Sequence, residues 1–420
     1  MTMLGKRPVK ERISIALLGT RGVPARYGGF ETCIEEVGKR LVARGHRVTV
    51  YCRDAPDANK SETEYLGMDL VYLPALKKKS LETLSHSGLS AAHLAAHRTD
   101  AAIVFNAANA PWLPVIRAAG IPVATHVDGL EWKRAKWGPI GQRYYRIAES
   151  ASVRLSDALI ADAQGISDYY REEFGADTTL ISYGAPLIEP GSIDKLGELG
   201  LMPDQYHLAV ARLEPENHVH LIIEGYVRSG AALPLVVVGS APYAGIYTRS
   251  LEALADSRVR LVGAVWDQEL LDQLYANARI YWHGHSVGGT NPSLLRAMGA
   301  GTAVNAFDVN FNREVLKDAG EFFSTPADVA NLADKAEQLP HTATERRRTS
   351  RTYAATYDWD DVALRYEDLA LRLAAGEKRR SGGFRRRFRA APSAAAQNPT
   401  SPDPSSRASA ARSAAPKVGA

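Results

Sequence analysis

Short apolar runs alternate with helix-length segments along most of this 420-residue chain, and this alternation restricts the fold more than any other feature. Six runs rich in β-branched residues come first, at residues 13–18, 47–51, 70–73, 101–105, 122–126 and 158–161. Five more follow, at residues 207–211, 233–238, 259–262, 279–282 and 302–305. Strands that alternate with helices form mostly parallel sheets covered on both faces. Because the chain is also longer than one ordinary core serves, we predict two doubly wound α/β domains.

The boundary between the two domains is predicted where proline and glycine interrupt the alternation. Pro186, Pro190 and Gly191 mark such a point, so the domains are expected at residues 1–186 and 187–376. The polar stretch 197–205 is the alternative boundary. Apolar residues at helical spacing then predict an amphipathic helix over residues 360–373. Whether this helix packs back on the first domain is left open.

Charge is unevenly divided along the chain. Residues 377–420 hold ten Lys and Arg against two acids, whereas the remainder holds 41 basic and 45 acidic residues. A mildly acidic body argues against a nucleic-acid groove, which needs clustered cations, so we expect no specific nucleic-acid partner. The Ala-, Pro- and Ser-rich composition of residues 377–420 predicts a disordered basic tail. Three roles stay open for this tail: peripheral contact with an anionic membrane, a solvated segment without a partner, and nonspecific contact with nucleic acid.

Cysteine usage and hydropathy point to a soluble cytoplasmic protein. Cys33 and Cys52 form no Cys-x-x-Cys pair, which argues against a disulfide scaffold or a structural zinc site. The first apolar run is too short for a signal peptide, and no eighteen apolar residues run together.

Two turns in the first half follow predicted strands, where open α/β sheets bind their ligands. The turn at residues 19–31 contains four glycines, which let backbone approach a ligand closely and place free amides at a helix start. Its alternative role is to turn the chain. In the turn at residues 125–134, His126 can donate to a bound polyol and Asp128 can accept from it. The alternative is a strand-end histidine bonded to backbone.

Two further turns follow strands of the second half. Arg212 offers a forked cation and the Asn217 region offers helix amides, a combination that suits a diphosphate. Helix capping by the neighbouring acids is the alternative. In the turn at residues 283–298, the amides of residues 288–291 face a phosphate at the next helix start. A metal pair of His283 and His285 is the weaker interpretation, because no third ligand of matching geometry lies nearby.

Taken together, these four turns resemble those of the retaining glycosyltransferases of the GT-B fold, glycosyltransferase family 4. The stretch Gly-Thr-Arg-Gly-Val-Pro-Ala-Arg-Tyr-Gly-Gly-Phe-Glu at residues 19–31 resembles the signature of the bacterial rhamnosyltransferase-like branch. The resemblance runs from about residue 13 to residue 366, with further matches at residues 128–134, 183–186, 212–217, 239–243, 288–292 and 311–315. It implies two Rossmann-like domains facing a cleft, followed by a C-terminal helix and the basic tail.

The resemblance also implies site roles. In such enzymes the second domain binds a nucleoside-diphosphate sugar and the first domain holds the acceptor. The expected catalytic residues are His126, Asp128 and Arg212. The expected donor-binding residues are Gly288, Gly289, Thr290, Asn291, Asn217, Arg296, Arg313 and Glu314. The expected acceptor-binding residues are Gly19, Thr20, Arg21, Arg26, Tyr27, Gly28, Gly29 and Phe30. No metal and no cofactor besides the donor substrate are expected.

Two positions depart from the wider family. Relatives place a glutamate at the position of Arg296, where it accepts bonds from ribose hydroxyls. Arginine has donors only, so it cannot take that role, although it can pair with the diphosphate. Many relatives also have a lysine at the position of Asn217, so the cation for the diphosphate is expected from Arg313 or Arg296.

The expected function is transfer of a hexose or deoxyhexose, with rhamnose as the leading candidate, to a surface glycan or its polyprenyl-diphosphate-linked precursor. The alternative is a degenerate glycosyltransferase that binds sugar nucleotide or glycan without turnover, as a partner subunit. A nicotinamide oxidoreductase is disfavoured because neither half shows a Gly-x-Gly-x-x-Gly turn with a following acid.

Overall fold

A computed structural model describes residues 11–25, 28–54, 61–76, 81–127, 129–134, 137–189, 191–240 and 245–377. Three of the expected site residues, Arg26, Tyr27 and Asp128, lie outside these ranges, as does the expected basic tail beyond Glu377.

The first sheet has eight strands within the described ranges. They are β1 (Ser14–Leu18), β2 (Arg47–Arg53), β3 (Glu64–Tyr65), β4 (Met68–Leu73), β5 (Ala101–Phe105), β6 (Val123–His126), β7 (Ala158–Ala161) and β8 (Thr179–Leu180). Their order is β3-β4-β2-β1-β5-β6-β7-β8, and every pair is parallel except β3 with β4. Strand β5 is buried at all five positions, as expected for a central strand covered on both faces.

The second sheet has six parallel strands in the part of the chain that is described. They are β9 (His207–Val210), β10 (Leu235–Val238), β11 (Val259–Gly263), β12 (Ile280–His283), β13 (Ala303–Phe307) and β14 (Gly320–Phe323). Their order is β11-β10-β9-β12-β13-β14. The two parallel-sheet domains confirm the predicted fold class, and the expected boundary at residue 186 falls between β8 and β9.

Helices connect the strands in both domains. The first domain contains α1 (Gly29–Ala43), α2 (Glu82–Ala96), α3 (Leu113–Ala118), α4 (Pro139–Leu155) and α5 (Gln164–Phe174). The second contains α6 (Val219–Arg228), α7 (Gly245–Leu254), α8 (Gln268–Asn277), α9 (Pro292–Gly299), α10 (Asn310–Leu316), α11 (Pro326–Gln338) and α12 (Pro340–Ala354), and the chain continues into α13 (Trp359–Ala374). Short 3-10 helices lie at Ala107–Trp112, Glu131–Lys133, Asp194–Leu199, Pro215–Asn217 and Lys317–Ala319.

The predicted strands match the observed ones within a few residues, but three strands were not predicted. Strands β3 and β8 are two residues long, too short for an apolar pattern. Strand β14 begins with Gly320 and Glu321 at a sheet edge and is buried only at Phe323. Edge strands of this kind lack the continuous apolar run of a central strand, which is why the sequence pattern did not indicate β14.

Helix α13 lies against the first domain. Its buried stripe, which includes Val362, Tyr366, Leu369 and Leu373, packs in the same core cluster as Cys33 of α1. At its start, Trp359 fills the space beside Gly184, where a Cβ would lie 2.4 Å from the indole ring. The helix therefore returns from the second domain and covers the first.

Both sheets reverse their winding direction at one place. Strand β1 lies between β2 and β5 in the first sheet, and β9 lies between β10 and β12 in the second. Turns leaving adjacent strands in opposite directions open a crevice at the carboxyl ends, which is where ligands of open α/β sheets bind. No helix of the described ranges is long and apolar enough to cross a bilayer.

Candidate active site

The crevice of the second sheet brings together the turns after β9 and β12. Asn217 joins them, because its Nδ2 donates to the Arg212 carbonyl at 2.7 Å and its Oδ1 lies 2.9 Å from Nδ1 of His285. The side chain of Asn217 is therefore occupied in holding the turn, and His285 carries its proton on Nδ1. Burial, followed by the charge of Arg134 and then of His283 and Arg212, keeps the pKa of His285 well below its ordinary value. His285 is neutral.

The turn at residues 287–291 continues from His285. A Cβ on Gly288 would lie 3.0 Å from Nε2 of His285, so this turn borders the imidazole that Asn217 links to the Arg212 backbone. Asn291 caps α9, since its Oδ1 accepts from the Ser293 amide at 2.9 Å. The turns that carry Arg212 and residues 288–291 thus meet through Asn217 and His285, and the Asn291 oxygen serves its own helix.

The first domain meets this turn directly. The Thr290 hydroxyl donates a 2.8 Å hydrogen bond to the backbone carbonyl of Asp162, which follows β7. Gly289 packs against the same residue, because a Cβ there would lie 1.9 Å from Oδ1 of Asp162. Only glycine permits this approach of the two domains. Asp162 was not predicted, because its only sequence signal is that an acid directly follows a buried strand.

A buried cluster surrounds His126 at the end of β6. Its ring lies 5.0 Å from Phe30 and 5.3 Å from Phe105, and its Nδ1 lies 3.0 Å from the Tyr366 hydroxyl. Within the described ranges no group bonds its Nε2. Burial lowers the pKa of His126 to about 3, so the ring is neutral and suited to a hydrogen bond rather than to a charge.

Contacts within the first domain shape the first part of the predicted acceptor turn. Gly19 has a φ of +103° and lies so close to β5 that a Cβ would be 2.3 Å from the Phe105 carbonyl, so this glycine shapes the turn. Buried Thr20 accepts from the Gly22 amide at 3.0 Å, and the Arg21 amide donates to Glu31 at 3.1 Å. These contacts support the chain-turning interpretation for the first part of the segment.

The second part of the acceptor turn faces the other domain. Gly28 precedes α1 without a side-chain cap. A Cβ on Gly29 would lie 3.1 Å from Pro292 at the start of α9. Phe30 contacts the His126 ring. Gly29 and Phe30 therefore link the predicted acceptor side to the turn after β12 and to His126.

The remaining expected donor residues have partners elsewhere. Arg296 pairs with Asp272 of α8. Arg313 donates to Asp308 at 2.7 Å and lies over Phe322. Glu314 accepts from the Gln164 amide at 2.9 Å and so caps α5 of the first domain. Arg296 and Arg313 were the residues expected to supply the cation for the diphosphate. In the structure both guanidiniums are paired with carboxylates.

One interdomain ion pair at this cleft was not predicted. Arg134 bonds Glu131 of its own segment, and its Nη1 lies 3.3 Å from Oε1 of Glu216 in the turn after β9. All three side chains are buried. Pairing across domains depends on how the domains face each other, which local spacing does not reveal. In the part of the chain that is described, no three His, Cys, Asp or Glu side chains form a group that could hold a metal.

Two family models match the chain. Residues 28–184 match the glycosyl transferase 4-like domain, and residues 198–356 match the glycosyl transferases group 1. No curated protein sequence gave a significant match.

Solved structures similar to the chain share its two-domain architecture. A sucrose-phosphate synthase from Thermosynechococcus elongatus has a TM-score of 0.76 at 20% identity, over 86% of this chain and 99% of that one. HepE from Anabaena, in complex with UDP-glucose, has a TM-score of 0.70 at 17% identity, over 85% of this chain and 99% of that one. A glycosyltransferase from Rickettsia africae has a TM-score of 0.66 at 14% identity, over 88% of this chain and all of that one (100%). With the two domain families matched in order and both sheets facing one cleft, the chain belongs to the glycosyltransferases of the GT-B fold.

Proposed function

We propose that this glycosyltransferase moves a hexose or deoxyhexose, with rhamnose as the leading candidate, from a nucleoside-diphosphate sugar to a glycan acceptor. The acceptor is a surface polysaccharide or its polyprenyl-diphosphate-linked precursor. The complex of HepE with UDP-glucose supports a nucleotide-sugar donor. The protein acts in the cytoplasm, at the inner face of the membrane when its acceptor is lipid-linked.

The observation that carries the proposal is that Asn217 bonds both the Arg212 backbone and the neutral imidazole of His285, and that the Gly288 turn borders the same imidazole. A guanidinium and backbone amides at a crevice form a suitable site for a diphosphate. His285 adds a hydrogen-bonding group there, and Asn217 holds both turns in place. The site lies where the second sheet reverses its winding, which is the general ligand position of this sheet type.

The chemistry we propose is retaining transfer by front-face attack. The departing diphosphate takes the proton of the acceptor hydroxyl, so the reaction requires no carboxylate nucleophile and no metal. The residues of this chain stabilise the charge that grows on the leaving group, through Arg212 and the amides of residues 288–291. Closure against Asp162 removes water from the cleft and strengthens these interactions. His126 lies beside Phe30 on the acceptor side as a neutral hydrogen-bonding group.

A thermal-shift screen tests the donor class first. Nucleoside diphosphates and their sugars are added singly, and a ligand at a hundred times its dissociation constant should stabilise the protein by about 2.7 kcal/mol. Turnover is then assayed with the sugar nucleotide that binds and with lipid-linked acceptors. Arg212→Gln should lower kcat/KM about 100-fold, because it removes a charge that stabilises the leaving group. A protein stabilised by none of these ligands would contradict the proposal.

A second candidate is a degenerate subunit that binds sugar nucleotide without turnover. The pairing of Arg296 with Asp272 favours it, because both groups are satisfied by each other at a position where relatives place a ribose-binding glutamate. Comparing the unsubstituted protein with Arg296→Glu separates the two candidates. If the unsubstituted protein shows no turnover and Arg296→Glu turns over substrate well, the degenerate subunit is supported. Efficient turnover by the unsubstituted protein excludes it.

A further inference from the structure

Arg134 occupies an unusual position between the two domains. It belongs to the short segment after β6, but its Nη1 reaches Glu216 in the second domain at 3.3 Å. Glu131 holds the other side of the same guanidinium, and the Trp137 indole in turn donates to Glu131 at 3.2 Å. A buried arginine so oriented on the first domain presents a fixed cation to the second.

The segment around Arg134 lies directly across from the turn that we assign to phosphate binding. A Cβ on Gly129 would lie 3.3 Å from the Gly288 carbonyl. The backbone carbonyl of Glu216 accepts from the amide of Ser286 at 3.1 Å and from its hydroxyl at 2.9 Å. Residues 129–134, Glu216 and the turn after His285 therefore form one continuous wall of the cleft.

Positive charge from both domains acts on His285. Among neighbouring charged groups, Arg134 has the largest effect in lowering the His285 pKa, and Arg212 acts in the same direction. Two guanidiniums, one from each domain, thus both lower the pKa of this imidazole. Glu216 offsets part of this positive charge, yet its Oε2 is buried and has no hydrogen-bond partner within the described ranges. A buried acceptor without a partner costs free energy, so releasing Glu216 from Arg134 costs less than breaking a pair in which both oxygens are bonded.

We propose that Arg134 is a second donor-binding residue, which the first domain contributes to the diphosphate, and that Glu216 occupies its guanidinium until the donor enters. The inference rests on the proposed function, since it names a further residue of the same donor site. Arg134 exchanges the Glu216 carboxylate for a phosphate oxygen, and Glu131 keeps the guanidinium oriented during the exchange. Donor binding thereby draws the two domains together through one ligand.

A purely structural ion pair makes a different prediction from this exchange. If Arg134 and Glu216 only hold the domains together, then neutralising either one weakens the closed state, and both variants bind donor less well. If Glu216 competes with the donor, the two substitutions act in opposite directions. Loss of Arg134 weakens binding of the diphosphate, whereas loss of the Glu216 charge strengthens it.

The experiment measures dissociation constants of UDP, GDP and dTDP by calorimetry for the unsubstituted protein, Arg134→Gln, Arg134→Lys and Glu216→Gln. For the diphosphate that binds, we expect Arg134→Gln to weaken affinity roughly tenfold or more, as loss of a charged hydrogen bond does. Arg134→Lys should recover part of this loss, because lysine keeps the charge without the fork. Glu216→Gln should strengthen affinity by about two- to tenfold.

Arg117→Gln is the matched control. Arg117 also belongs to the first domain and pairs with a carboxylate, Asp157, at 3.6 Å. Asp157 precedes β7, so this pair lies at the opposite edge of the sheet from the cleft. Its loss should leave diphosphate affinity unchanged.

Two results would overturn the inference. One is unchanged affinity in Arg134→Gln, and the other is weaker affinity in Glu216→Gln, which stays decisive if the arginine variants fail to fold. In both cases the unsubstituted protein still binds a diphosphate, so the proposed function stands. If the unsubstituted protein binds no diphosphate, the proposed function and this inference fall together.

Discussion

The hydroxyl of Tyr366 lies 3.0 Å from Nδ1 of His126, so helix α13 is bonded to the carboxyl end of an interior strand in the first domain. The same hydroxyl lies 3.5 Å from Sγ of Cys33. One tyrosine thus joins β6, α1 and α13 at the buried side of the cleft. The orientation of the His126 ring depends on a helix that follows the second domain in the chain.

Tyr366→Phe should destabilise the protein by about 1–3 kcal/mol, because it leaves the buried Nδ1 of His126 without its partner. The measurement is the shift of the urea midpoint. Tyr353→Phe is the matched control, since the Tyr353 hydroxyl bonds Asp318 at an exposed site. That control should stay within about 0.5 kcal/mol of the unsubstituted protein. Equal effects of the two substitutions would show that the buried bond contributes nothing specific.

Stability should fall on acidification because His126 is buried as a neutral ring. Burial lowers its pKa to about 3, whereas the unfolded chain titrates near 6.5. Between these values the unfolded state binds a proton that the folded state does not, so the free energy of unfolding decreases as the pH falls from about 6.5 towards 3. The contribution of one such group reaches about 2 kcal/mol by pH 5.

The test compares urea midpoints at pH 7 and pH 5 for the unsubstituted protein, His126→Gln and His341→Gln. We expect His126→Gln to reduce the difference between the urea midpoints measured at pH 7 and pH 5, although it also lowers stability at both pH values. His341 is exposed, so its replacement should leave the difference as it was. An unchanged pH difference in His126→Gln would contradict the assignment of a neutral buried ring.

Some features of the site follow from local sequence and others do not. The alternation of strands and helices predicts both sheets, and the turns after β1, β6, β9 and β12 place Gly19, His126, Arg212 and Gly288 at carboxyl ends, as observed. Local pattern could not predict that Tyr366 bonds a histidine 240 residues away, since that contact depends on where α13 packs.

The interdomain contacts escape sequence reasoning for a similar reason. A single acid after β7 carries no motif, and Asp162 acquires its significance only because Gly289 approaches it. Arg296 illustrates the converse case. Its position marked it as a departure from the family, but only the structure shows that Asp272 is its partner.

Gly289→Ala should hold the two domains apart. The added methyl would lie 1.9 Å from Oδ1 of Asp162, which is closer than side-chain atoms approach, so Asp162 or the whole turn must shift. We expect turnover to fall about tenfold or more, because small displacements of the reacting groups are costly. Spin labels placed one in each domain should report a longer distance between them.

Gly197→Ala is the control for this substitution, since a Cβ there meets nothing within 4 Å. Its turnover and label distance should equal those of the unsubstituted protein. If Gly289→Ala behaved as this control does, the contact with Asp162 would not determine how the domains close.

Arg296→Glu should destabilise the second domain, because it places a carboxylate beside Asp272 in place of a cation. Both side chains are partly exposed, so solvent screening limits the expected loss to about 1 kcal/mol. Arg296→Glu combined with Asp272→Asn removes the repulsion and should regain most of this stability. Thermal unfolding measures both variants, and the combined variant is also the proper background for the turnover comparison. If Arg296→Glu alone proved as stable as the unsubstituted protein, the pairing of Arg296 with Asp272 would contribute nothing to the fold, and the arginine would be free to serve the donor instead.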